Sequence, residues 1–321
     1  MHTKSPIHRP EAYDLYWYFA AERQAIFERR YHGQSAPWTG DPILNEYKFC
    51  NVFRATDRIS QHLIRDVIYS DDKTDPVDKL FQIVLFRTFS KIETWEAILD
   101  TLGRPPLISD LLDDKLTRIL DDRRETNQPI YTSAFILCAN DAYSQGIKHR
   151  NHIEMLRDMF VAHDLATDIM SASSLRIVYD LLHSYPLMGD FMSYQIAVDL
   201  NYSAILRFDE NDFTKAGPGA LRGMRKCFIS LGGYSPEDII MYMVNNQEKE
   251  FRRLGLDFNG LFGRRLHAID CQGLFCETDK YCRVALPELA SARSRIKAKY
   301  TDAKKPSKLF LPPKWQLNNN I

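Results

Sequence analysis

The chain of 321 residues carries 42 lysines and arginines against 42 aspartates and glutamates, so its formal net charge is zero. A global basic field is therefore excluded, and any grip on nucleic acid has to come from clustered cations or from main-chain dipoles. The six cysteines, at 50, 138, 227, 271, 276 and 282, are scattered, and no secretory leader or long apolar run appears. An intracellular protein with reduced thiols and no membrane span is the natural expectation.

Glycine is scarce, at 14 of 321, and apolar residues recur mostly at helical spacing with few alternating runs, which predicts an all-α protein. Residues 1–10 read as a flexible arm. A first helix is expected from Glu11 to Tyr31, where Tyr13, Tyr16, Trp17, Ala20, Ala21 and Gln24 keep the three-and-four rhythm until "HGQSAPWTGDP" breaks it. A second is expected from Ile43 towards Tyr69, then a polar turn over Asp71 to Pro76, then two helices joined near Ser90 and ended by "GRPP". A charged amphipathic helix is predicted over 107–125, with others near 131–145, 151–163 and 174–183. Residues 11–298 read as one helical body of two interleaved lobes. The stretch 299–321, rich in lysine, proline and asparagine, reads as an extended or disordered tail.

The stretch "SYPLMGDFMSYQIAVDLNYSAILRFDENDF" separates two amphipathic segments with a short turn. Ser173 or Ser174 caps the first, Pro186 stops it, and the second starts near Asp190, with Gly189 free to adopt a positive φ. Unpaired amides at such a turn hold a phosphate without a basic side chain. The arrangement resembles the helix-hairpin-helix DNA glycosylases, whose catalytic aspartate follows the last hairpin glycine by about twenty residues; here Asp209 and Asp212 follow Gly189 at that spacing. Leu187 stands where the first hairpin glycine is usual, Asp190 brings a negative charge close to the proposed phosphate, and Phe191 replaces the lysine nucleophile of lyase-type members.

Three further stretches carry chemistry-bearing residues. In "FTKAGPGALRGMRKCF", Gly217, Pro218 and Gly219 precede a helix with Arg222, Arg225 and Lys226, a pattern suited to an anion, although no Gly-Lys-Ser/Thr ending of a nucleotide-binding loop occurs in the chain. "HAIDCQGLFCETDKYCRV" gathers His267, Asp270, Cys271, Gln272, Cys276, Glu277, Lys280 and Arg283. Its gaps match no paired zinc knuckle, so no metal site is expected, and an ion-pair network of Asp270, Glu277, Lys280 and Arg283 that orients helices is the plainer alternative. In "PWTGDPILNEYKFCNVFRATDR", Tyr47, Asn51 and Arg54 would share a face if helical, and suit contacts to a base or a phosphate.

Taken in order, "YWYFAAERQAIFERR", "PWTGDPILNEYKFCNVFRATDR", "FRTFSKIETWE", "FDENDFTKAGPGALRGMRKCF" and "IDCQGLFCETDKYCRV" resemble the helical domain of the 5-hydroxymethyluridine (5-hmdU) DNA kinases, related to the α-glutamyl/putrescinyl-thymine pyrophosphorylases of thymine hypermodification. The resemblance runs from about Tyr13 to Glu288. It implies a two-lobed helical bundle with a glycosylase-like core that acts on 5-hydroxymethyluracil, or its phosphorylated form, in DNA. On that reading Asp212 is the acid/base or orienting carboxylate, Asp209 its reserve, and Lys280 a third catalytic candidate. Gly189, Gly217, Gly219, Arg222 and Arg225 contact DNA or phosphate, and Tyr47, Asn51, Arg54, Asp270, Gln272 and Glu277 line the pocket. ATP or an amino donor is the implied cosubstrate. DNA is the implied partner, with a separate nucleotide kinase or another base-modifying enzyme beside it. A DNA glycosylase and a non-catalytic DNA-binding module are the competing readings.

Overall fold

The computed structural model describes residues 4–70, 73–132, 140–289, 294–296, 298–301 and 308–321. Its α-helices are Pro10–Tyr31 (α1), Pro42–Glu46 (α2), Arg58–His62 (α3), Pro76–Phe89 (α4), Ile92–Leu102 (α5), Lys115–Glu125 (α6), Lys148–Arg157 (α7), Leu165–Ser171 (α8), Leu175–His183 (α9), Asp190–Asn201 (α10), Pro218–Cys227 (α11), Pro236–Arg253 (α12) and Ala268–Ala285 (α13). Among the described residues the only sheet is a two-stranded antiparallel ribbon of Ile7–His8 (β1) and Phe228–Ser230 (β2). The fold is all-α. No described helix is long and apolar enough to cross a membrane.

The chain divides into two units. The first comprises Met1–Asp57, Phe213–Leu309 and Leu317–Ile321; the second comprises Arg58–Asp212 and Phe310–Gln316. In the first, α1 is the core helix: Tyr13, Tyr16, Trp17, Phe19 and Ala20 are fully buried, so apolar surface covers most of its circumference and α11, α12 and α13 pack around it. α11 lies directly on α13 because of two glycines. A Cβ on Gly223 would sit 2.0 Å from the Phe275 carbonyl oxygen, and one on Gly219 would sit 2.6 Å from Cys276 Sγ. These are contacts that only a missing side chain permits.

In the second unit, α4 is buried along most of its length and ends at Ser90 in the left-handed conformation (φ 50°), which turns the chain into α5. Arg87 of α4 forms a fork with Asp199 of α10, Nε to Oδ2 at 2.6 Å and Nη2 to Oδ1 at 3.2 Å. Both side chains are sealed, at 1% and 0% exposure. Such a pair adds little net stability over an apolar one, but loss of either partner strips the other buried charge of its fork. α9 and α10 form the anticipated pair around the turn, and Ser174 accepts the Ile177 N–H as the N-cap of α9.

Several expectations need correction. The helix expected from Ile43 to Tyr69 is broken into α2, an extended stretch, a 3-10 turn at Arg54–Thr56, α3 and a π-helical turn at Leu63–Ile68. The cause is packing: Phe49, Val52 and Phe53 of "YKFCNVF" are buried from a non-helical backbone, which overrides the helical spacing of the stretch. The helix expected over 107–125 is a 3-10 turn at Ile108–Leu111 followed by α6, with Asp114 left-handed between them. Of the helix expected near 131–145, residues 133–139 lie outside the described residues, and 140–147 form turns before α7. α8 and α12 carried no expectation.

Residues 4–10 are not a loose arm. His8 stacks on Tyr13 at 3.7 Å between ring centroids and meets the Tyr242 hydroxyl at 3.2 Å, while the Arg9 guanidinium donates to the carbonyls of Arg225 and Lys226 at the end of α11. The end of the chain is also packed. Leu311 is fully buried, Gln61 bonds both main-chain groups of Phe310, and Lys314 donates to the carbonyls of Asn201 and Leu206.

Candidate functional site

A dense meeting of polar groups in the first unit lies where the stretch after α2 crosses α13. Because this stretch is not helical, its main-chain N–H groups are free to bond side chains. The Cys50 N–H donates to Glu277 Oε2 at 2.9 Å, and the Asn51 N–H donates to an Asp57 carboxylate oxygen at 3.0 Å. The Asn51 amide donates to the Thr56 carbonyl at 2.9 Å and accepts from Arg23 of α1. Lys280, one turn on from Glu277, donates to both carboxylate oxygens, at 2.9 and 2.8 Å, and its ammonium lies 5.3 Å from the centre of the Phe49 ring. Three separated parts of the chain thus supply two carboxylates and two cations to one place.

The electrostatics follow from that crowding. Burial, against the pull of the Asn51 N–H and the Arg23 guanidinium, lifts Asp57 to about 6. Such a carboxylate exchanges protons near neutrality, and it is only partly covered. Burial also works against the Lys280 ammonium, but the Glu277 carboxylate outweighs it and holds the pKa above the usual lysine range. Cys50 is exposed, and the neighbouring Glu277 is the first cause that pushes its thiol well above the ordinary value, so it stays protonated. Arg23 is 8% exposed, and its Nη1 has no hydrogen-bond partner among the described residues. A buried N–H left without an acceptor is a cost that a bound oxygen would remove.

Other candidates fall in several places. Asp270 accepts the His267 and Arg54 N–H groups at 3.1 Å each, which ties the start of α13 to the 3-10 turn at Arg54. Gln272 is buried beside Cys276, and Tyr47 forms a short main-chain bridge with Lys299. Arg222 of α11 reaches Asp279 of α13, whereas Arg225 is exposed on the next turn. The ion-pair network considered for α13 is divided: Glu277 pairs with Lys280, and Arg283 pairs with Asp279. Among the described residues no group of three or more histidine, cysteine, aspartate or glutamate side chains is gathered for a metal ion.

Asp209 and Asp212 belong to the second unit, in an exposed loop after α10. Asn201 bonds both main-chain groups of Phe208, Trp315 donates to Glu210 at 2.7 Å, and Asp209 accepts the Asn211 N–H. At the hairpin, Gly189 does not take a positive φ: it is the extended N-cap of α10 at −77°, and Leu187 supplies the left-handed residue at +73°. The Asp190 carboxylate occupies the first turn of α10 and accepts from the Tyr179 hydroxyl at 2.6 Å.

Residues 10–291 match the family described as 5-hmdU DNA kinase, helical domain. The chain belongs to this family. A 5-hmdU DNA kinase of Bacillus phage SP10 is 28% identical over a 289-residue alignment that covers 84% of this chain and 44% of the relative. The chain thus spans less than half the length of that relative. No solved structure matches it. Every residue of the Asp57 cluster lies inside the stretch that matches the 5-hmdU kinase helical domain. Sequence reasoning gave site roles to Asn51, Glu277 and Lys280 but none to Arg23, Asp57 and Asp279. Asp57 stood in view inside "FRATDR", next to chosen residues; nothing in the local pattern marked it as the one that burial would perturb.

Proposed function

We propose that this helical chain acts on 5-hydroxymethyluracil already present in DNA, and that the Asp57 cluster handles the hydroxymethyl group. What carries the reading is the Asp57 carboxylate, lifted by burial to about 6 and flanked by the Arg23 guanidinium, inside the part of the chain that matches the 5-hmdU kinase helical domain. The base is presented extruded from the stack. Asp57 takes the proton of the hydroxymethyl O–H as that oxygen forms its bond to the phosphorus of a nucleoside triphosphate. The phosphoanhydride bond breaks, and the diphosphate leaves with its electron pair. Arg23 and Lys280 offset the negative charge that builds up. The role assigned to this chain is confined to base recognition and activation of the oxygen, because its sequence contains no Gly-Lys-Ser/Thr phosphate loop.

The test is nucleoside mass spectrometry after incubation with hydroxymethyluracil DNA, run with and without ATP, an amine or an amino acid, for wild type and for Asp57→Asn and Asp212→Asn. A phosphorylated or amine-substituted pyrimidine that Asp57→Asn loses supports the reading. Product that persists in Asp57→Asn but vanishes in Asp212→Asn moves the chemistry to the loop after α10. Release of free base with an abasic site replaces the proposal with a glycosylase, and affinity without product replaces it with a binding module.

A further inference from the structure

Among the described residues, the charges on the α11 side of α13 do not balance. Asp279, 1% exposed, receives Arg283 at 2.6 Å and Arg222 at 3.3 Å on one oxygen, and Lys226 at 3.1 Å on the other. Cys276, Lys280 and Arg283 recur at helical spacing on α13 and share a face. Arg222 reaches the same face: its Nη2 lies 3.7 Å from where a Gly219 Cβ would stand, and that point is 2.6 Å from Cys276 Sγ. Four cations, Arg222, Lys226, Lys280 and Arg283, therefore meet two carboxylates, Asp279 and Glu277, around one partly exposed cysteine. Lys226 is spent on Asp279, where it also donates to the main-chain carbonyl at 2.9 Å, but Arg222 remains 24% and Lys280 26% exposed. A structural network would be expected to neutralise itself; two surplus positive charges in a half-buried place are costly without an anion.

We propose that Arg222, Lys280 and Arg283 form a phosphate subsite that takes a phosphate of the DNA substrate beside the base presented to Asp57. The inference rests on the function proposed above and extends it by one binding contact. A backbone phosphodiester and the phosphate monoester of a phosphorylated hydroxymethyl group share the required chemistry. Guanidinium forks suit either of them.

The experiment is fluorescence anisotropy of the full chain with two duplexes, one bearing hydroxymethyluracil and one bearing its phosphorylated form, across a salt series. The variants are Arg222→Gln, Arg222→Lys and Lys280→Gln, each checked by circular dichroism, with Arg176→Gln as a charge-matched surface control. For a backbone contact, Arg222→Gln weakens both duplexes about tenfold at low salt and lowers the salt slope by about one, while Arg222→Lys recovers part of the slope and Arg176→Gln changes neither. For a monoester contact, only the phosphorylated duplex loses affinity. Arg222→Gln and Lys280→Gln that fold and bind both duplexes with unchanged slope overturn the subsite. Asp57→Asn separates the two proposals, since it keeps all four cations: turnover retained in that variant removes the proton-transfer reading, while the binding data decide the subsite on their own.

Discussion

The main-chain N–H of Asn51 donates to the Asp57 carboxylate at 3.0 Å across a turn of six residues. That bond favours the charged form of Asp57 and is outweighed by burial, which leaves the group poised near 6. If the Asp57 anion is the base, kcat/KM on hydroxymethyluracil DNA rises with pH through an apparent pKa near 6 and then levels off. Asp57→Asn lowers it by about 100-fold or more. A pH–rate profile of wild type and variant checks both statements.

The same shift has a consequence for stability. A carboxylate whose folded pKa lies above its unfolded value holds its proton longer in the folded state, so its contribution is fully present at low pH and is lost as pH rises from about 4 to about 6. The loss is on the order of 2–3 kcal/mol at most. Asp57→Asn flattens this part of the curve, and urea unfolding at pH 4, 5, 6 and 7 reads the difference between the two proteins.

Arg87→Met strips the sealed Asp199 carboxylate of its guanidinium fork and destabilises the second unit by about 3–5 kcal/mol. The double replacement Arg87→Met with Asp199→Leu recovers most of the loss, because no buried charge remains. A double-mutant cycle by denaturant unfolding tests this, and equal losses in the single and double variants would reject it.

Gly189 is an extended N-cap with no described residue within 4 Å of a would-be Cβ. Gly189→Ser is expected to stabilise the protein by about 0.5–1 kcal/mol, through a less flexible unfolded chain and a capping hydroxyl. DNA affinity should be unchanged, since the Asp190 carboxylate already stands at that helix start. Thermal unfolding and anisotropy on the same variant decide it; a loss of DNA affinity would return the phosphate to the hairpin.

Gly223 makes the opposite prediction. A methyl group there meets the Phe275 carbonyl at 2.0 Å, so Gly223→Ala has to push α11 off α13 and costs about 3 kcal/mol or more. Expression yield and Tm are the measurements.

Much of the framework was legible before any coordinates. Helical periodicity, the stop at Ser90 and the "GRPP" end after α5 are local properties, written in neighbouring residues and in turn chemistry, and the ordered blocks pointed to the family whose description matches residues 10–291. The site was legible only in pieces. Asn51, Glu277 and Lys280 stood out by type, but Asn51 was placed on a helix that does not form, and Gly219 was assigned to an anion where it serves the contact with Cys276.

What the chain decided alone is which segments coil and which faces turn inward, since both follow from side chains within a few positions of one another. Only tertiary packing decided that residues 47–53 stay extended and that Glu277 meets the Cys50 N–H from 227 positions away. Burial among distant partners overrode local preference there, and it set the proton affinity of Asp57, a quantity that depends on surroundings no neighbouring residue encodes.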